Sequence, residues 1–157
     1  MNTYNSQYQQ QQYQQNLINT ATPEQLLLML YDGAIRFTRQ AMMASEKKNL
    51  AEKLGRISKT VAIVTEFSNT LNHEIGGQIA ADLDGLYQFM IRELYAARKD
   101  ETGEKLKTVE RLLVDLRETW GQAVEINRQQ QKTNSSGSKY SQTIPPERAY
   151  VPLNAAS

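Results

Sequence analysis

The chain has 157 residues, a formal net charge of only +1 and no cysteine. That length supports one domain with a real core, and the near balance of charge gives no overall field that would draw nucleic acid or an anionic membrane. The absent thiols exclude disulfides, thiolate chemistry and zinc–thiolate sites. No basic and apolar leader opens the sequence and no apolar run approaches a membrane span, so the expectation is a cytoplasmic protein without membrane insertion.

Residues 1–16 carry no charged side chain and are rich in Gln, with Tyr4, Tyr8 and Tyr13 among them. Segments this poor in aliphatic residues rarely order alone. The reading is a flexible Gln/Tyr-rich N-terminal segment over 1–16. The i, i+4 pairs Tyr4/Tyr8 and Tyr13/Leu17 leave room for a short helix formed against a partner surface.

Four helical patterns follow. Thr22-Pro23-Glu24-Gln25 opens the first, with Thr as N-cap, Pro at the first helical position and Gln25 completing a capping box. Its stripe is Leu27, Leu30, Tyr31, Ala34, Ile35, Phe37 and Ala41, and it runs to about Ala44. The second covers about 46–71, with Leu50, Leu54, Ile57, Val61, Val64, Ser68 and Leu71 at the alternating spacing of a bundle seam. Asn72 to Gly77 carry turn signals. The third helix covers about 77–98 on Ile79, Leu83, Leu86, Met90, Leu94 and Ala97, with Tyr87 alongside. The fourth covers about 101–128 on Leu106, Val109, Leu113, Leu116, Trp120, Ala123 and Asn127, with Asp100 as its N-cap. Residues 129–157 hold Asn134-Ser135-Ser136-Gly137-Ser138 and Pro145-Pro146 without an apolar period, which reads as a disordered tail, and with Arg128 included the local charge is +3. The predicted fold is all-α: an antiparallel up-down four-helix bundle over 17–128, between a short N-terminal segment and the tail.

Catalytic and metal signatures are missing. Di-iron bundles need Glu-x-x-His on two helices. The single histidine, His73, falls in a predicted loop with Thr70 three residues before it. Gly77 stands where HExxH would need its second histidine. Asp82 and Asp84 fall on opposite flanks of the third stripe, so they do not converge. Gly76-Gly77 reads as a turn and Trp120 as a seam residue. Neither catalytic residues nor a cofactor or metal site is expected, and the chain is read as a non-enzyme.

The informative remainder is apolar surface beyond the seams. At about 100° per residue, and with Leu27 as zero, Met29 falls near −160° on the polar face of the first helix. With Ile57 as zero, Ile63 falls near −120° and Phe67 near −80° on the second. Phe89 flanks the third stripe and Leu112 the fourth. Met29, Ile63, Phe67, Phe89 and Leu112 are therefore the candidate contacts for a partner's amphipathic helix.

The stretches TATPEQLLLMLYDGAIRF (20–37), LNHEIGGQIAADLDGLYQFMIREL (71–94) and LRETWGQAV (116–124), in this order and spacing, resemble the flagellar secretion chaperones, the FliS family, over about residues 13–128. Thr38 departs from that pattern, where an apolar residue is expected. The resemblance implies an all-α export chaperone. Such a protein binds the C-terminal region of newly made flagellin, holds it back from polymerising and brings it to the export gate of the flagellar type III apparatus. It implies no nucleotide or metal. It also implies an N-terminal segment covering part of the client site, which places Tyr8, Tyr13, Leu17 and Ile18 as a lid. The alternative reading is a structural helical bundle that associates with itself through the same surface; a weak homodimer is compatible with either.

Overall fold

The computed structural model describes residues 2–135, with the side chains of residues 2–4 and Ile18 outside the description. Five α-helices occur among the described residues: α1 Asn2–Thr20, α2 Pro23–Glu46, α3 Leu50–Asn69, α4 His73–Ala97 and α5 Glu104–Asn134. The chain is all-α, and the count is five rather than the four read from periodicity. The added helix, α1, occupies the Gln/Tyr-rich segment. It has no apolar stripe, and its described side chains from Asn5 to Leu17 are exposed, so the pattern that reveals a packed helix is absent there. Residues 136–157, and with them most of the tail expected to be disordered, lie outside the described residues. The helix boundary placed near 128 is passed by α5, which continues to Asn134; Asn127–Lys132 contain no Gly or Pro to stop it.

Local chemistry sets the ends. Thr22 accepts the Gln25 N–H at 3.2 Å while the Gln25 side chain accepts the Thr22 N–H at 3.0 Å. This capping box starts α2, with Pro23 at the first position. α3 starts later than predicted because Asn49 is its cap, accepting the Glu52 N–H at 3.3 Å. His73, expected in a loop, is instead the first residue of α4, since Asn72 caps that turn by accepting the Ile75 N–H at 3.1 Å. The expected turn survives as a kink: Gly77 has φ 50° and ψ −123°, a conformation only glycine adopts cheaply. Asp100 is not the N-cap of α5, a position held by Gly103 at φ 76°. Its carboxylate still reaches into the helix start. It accepts from the Thr102 hydroxyl at 2.6 Å and the Lys105 N–H at 3.2 Å. These two bonds hold its carboxyl below the usual carboxylate range.

Helices α2 to α5 close a ring in which α2 packs on α3 and α5, and α4 packs on α3 and α5. Polar cross-links give their relative directions. Asp32 meets Arg117 at 2.9 Å and Arg39 meets Glu110 at 3.8 Å, so residue numbers rise along α2 as they fall along α5. Ser68 donates to Asp84 at 2.5 Å and the Lys53 ammonium donates to the Asp100 carbonyl at 3.0 Å, which gives the same opposed sense for α3 and α4.

The ring encloses an aromatic centre. Tyr31 and Phe67 stack with centroids 4.3 Å apart, and Phe67 meets Tyr87 at 5.5 Å. The Tyr31 hydroxyl accepts the Trp120 indole N–H at 3.1 Å and shares a 2.5 Å hydrogen bond with the Tyr87 hydroxyl. Ile57, Val64, Met90, Leu94, Val109 and Leu113 fill the space around them. Burial pushes both phenols well above the usual tyrosine range. Thr38, the departure from the family pattern, is fully buried without an unmet bond. Its hydroxyl donates to the Ala34 carbonyl at 2.8 Å and faces Thr60 at 3.5 Å.

Candidate functional site

The five candidate contacts separate into three places. Phe67 lies in the core at 1% exposure, between the rings of Tyr31 and Tyr87, and offers nothing to a partner in this structure. The expected surface position differs because the buried face of α3 is rotated from the seam that hydropathy predicts. The buried residues of α3 are Lys53, Ile57, Thr60, Val64 and Phe67. At about 100° per residue these span roughly 0° to −80° from Ile57, so Phe67 is the edge of the core rather than the edge of the surface. Leu50, placed on the seam, is 58% exposed instead.

Met29 and Ile63 border the contact of α2 with α3. Met29 is 39% exposed. Ile63 is half-buried against the core, and its Cδ1 lies 3.6 Å from where a Cβ on Gly33 would stand. Gly33 is buried, and Ile63 of α3 packs over it at a distance that would leave ordinary contact with a Cβ there.

Phe89 and Leu112 border the contact of α4 with α5. The 3.6 Å pair Glu93–Lys105 identifies the side of each helix that faces the other. By helical position Phe89 lies on that side of α4 and Leu112 on that side of α5. Phe89 is 36% exposed, and Leu112 is half-buried. The exposed apolar surface extends further, to Ile126, which helical position also leaves off the α5 seam, and to Ile75 and Ile79, which sequence reasoning missed. Ile75, Ile79 and Ile126 are all about half exposed, at 47%, 46% and 55%. Ile79 is expected in the buried stripe of a helix starting near residue 77, but α4 starts at His73 and is kinked at Gly77, and Ile79 is half exposed there. In a closed ring of four, the α2–α3 and α4–α5 contacts lie on opposite sides.

The lid residues lie on α1. Tyr8, Tyr13 and Leu17 are 61%, 66% and 44% exposed, and the Tyr8 hydroxyl accepts a hydrogen bond from the Gln12 side chain at 3.0 Å. The side chain of Ile18 lies outside the described residues. At about 100° per residue Tyr8 falls roughly opposite Tyr13 and Leu17, so these residues do not form one apolar face on α1.

Among the described residues no group of three or more His, Cys, Asp or Glu side chains comes together to hold a metal ion. No helix among them is long and apolar enough to cross a membrane. What the surface offers is half-exposed apolar side chains along two helix–helix contacts, a surface suited to docking an amphipathic segment.

Comparison with known proteins agrees with this character. The family model described as flagellar protein FliS matches residues 4–127. The flagellar secretion chaperone FliS of Bacillus subtilis is 39% identical over 117 residues, covering 74% of this chain and 86% of that protein. Its namesake in Salmonella typhimurium is 33% identical over 109 residues, covering 69% of this chain and 81% of that protein. The Campylobacter jejuni protein of the same name is 32% identical over 108 residues, with 69% and 84% covered. The match spans the capped start of α2, the Asn72–Gly77 turn and Trp120, and the chain belongs to the FliS family of flagellar secretion chaperones.

Proposed function

We propose that this chaperone binds the C-terminal region of flagellin in the cytoplasm, keeps it from polymerising and hands it to the export gate of the flagellar type III apparatus. The working unit is α2 to α5 as an antiparallel up-down bundle; the opposed pairings Asp32–Arg117 and Arg39–Glu110 support that arrangement. The observation that carries the reading is the apolar surface left on two opposite helix contacts, Met29 with Ile63 and Phe89 with Leu112, in a member of this family. A client reaching both sides must wrap the bundle. A segment disordered by itself suits this, because burial at each groove offsets its ordering cost step by step, at about 25 cal/mol per Å² of apolar area.

Ile63→Glu combined with Leu112→Glu places one charge in each groove. Capture of co-expressed flagellin should fall to background while the far-UV helicity and melting transition are kept. Flagellin lacking its C-terminal region should escape the unaltered chaperone; equal recovery of both forms would sink the client assignment. The α1 residues Tyr8, Tyr13, Leu17 and Ile18 are proposed as a cover that the client displaces. Deletion of residues 1–20 should then raise client affinity, and an unchanged affinity would show that α1 is no lid.

A further inference from the structure

The outer face of α2 carries charges beside the α2–α3 groove: the Arg36 guanidinium lies 3.9 Å from where a Cβ on Gly33 would stand, the position that Ile63 approaches from α3. Phe37 is half-buried beside α3, and three cations stand round its ring. The Lys59 ammonium is 5.1 Å from the centroid, the Arg36 guanidinium 5.2 Å and the Arg56 guanidinium 5.9 Å. A ring quadrupole attracts each cation but does not shield them from one another. Carboxylate help is sparse: Glu52 approaches Arg56 at 3.8 Å, and among the described residues neither Arg36 nor Lys59 makes an ion pair.

Arg36 also belongs to a neighbouring cleft of about 560 Å³, which it lines with Asp32, Ile35, Arg39, Gln40 and Met43 of α2 and Val114 of α5; the Asp32 carboxylate is already engaged by Arg117 at 2.9 Å. Arg39 meets Glu110 only at 3.8 Å. Gln40 is half-buried, and its Oε1 is occluded without a hydrogen-bond partner. An occluded acceptor with no donor is a standing cost, which a ligand carrying an N–H can remove once the amide turns outward.

We propose that this ridge, which borders the α2–α3 groove but is built of other side chains, is a docking site for an acidic segment of a second polypeptide. Carboxylates of the segment pair with Arg36 and Lys59. An apolar side chain enters the cleft against Ile35, Met43 and Val114, and a backbone N–H meets the Gln40 amide oxygen. Charge complementarity selects an acidic partner. The Gln40 acceptor matches the N–H that every residue of a polypeptide other than proline carries, and the apolar lining matches a side chain, whereas a phosphate group by itself supplies acceptors only.

The test uses the full chain and a capped synthetic peptide repeating Glu-Glu-Leu, against the same peptide with Gln for Glu, phosphatidylglycerol vesicles and inorganic phosphate. The acidic peptide should shift the amide resonances of Arg36, Phe37, Gln40 and Lys59. Its affinity should fall by about tenfold or more in Arg36→Gln/Lys59→Gln and should weaken steeply by about 0.5 M salt. Gln40→Leu should raise the melting temperature of the free chain yet weaken the peptide, a divergence that a purely structural role does not produce. Flagellin capture by the double variant should be unchanged. The proposal is overturned by peptide shifts confined to other faces, by equal binding of the Gln peptide, by vesicles or phosphate shifting the same resonances in the peptide's place, or by loss of flagellin capture in the double variant, which would assign the ridge to the client.

Discussion

Phe67 shows how a single side chain can change role when its helix is rotated by less than a quarter turn. Its ring at 1% exposure is wedged between two tyrosines. Phe67→Ala should therefore cost about 3–5 kcal/mol in urea unfolding, whereas Phe89→Ala, at 36% exposure, should cost well under half of that. Equal losses would mean that the α3 assignment is wrong. The tyrosines give a second residue-level prediction, in pH. Both Tyr31 and Tyr87 have their phenol raised above the ordinary value of 10.0, first of all by burial. The folded state thus keeps protons that the unfolded chain releases. Their stabilising effect is complete below about pH 10 and falls away as the pH rises above it. Urea midpoints should drop steeply between about pH 10 and 11, and the slope should lessen in Tyr87→Phe. A midpoint that is flat across that range would show that the phenols titrate freely.

At the scale of elements, α2 and α5 were the most legible, and for nameable reasons. Thr22-Pro23-Glu24-Gln25 is a complete start signal, and Leu106 to Trp120 keep one phase on α5. Thr22→Ala should cost about 1 kcal/mol, since it opens the capping box. The α3 phase was harder to read because its core includes the polar residues Lys53 and Thr60. A hydropathy pattern assigns these outward, although Lys53 is satisfied by the Asp100 carbonyl and Thr60 by the Arg56 carbonyl. α1 was illegible as a packed element because it is not one: its helix rests on local bonds, not on a buried stripe. The kink in α4 was legible only as a glycine pair. Gly77→Ala should destabilise by about 1–3 kcal/mol through backbone strain alone, because no atom lies within 4 Å of the added Cβ. Gly33→Ala, where the added Cβ meets Ile63 at an ordinary 3.6 Å, should be nearly neutral. Thermal melts of the two variants make the comparison.

For the whole molecule, the all-α class and the family were readable before any coordinate, whereas the division of apolar side chains between core and surface was not. Periodicity tells which residues share a meridian; it does not tell which meridian faces inward when polar residues are buried and aromatic ones lie at the margin. The single tryptophan makes that division measurable. Trp120 is 2% exposed and hydrogen-bonded to Tyr31 at the centre of the ring, whereas Leu112, two turns earlier on α5, is half-buried at the margin. It is therefore a built-in optical probe of the interior. Its emission should be blue-shifted in the folded chain, should move to the red when the ring opens, and should stay put when a partner settles only on the outside. Without any label, one fluorescence titration then separates a ligand that is carried from a ligand that unfolds its carrier.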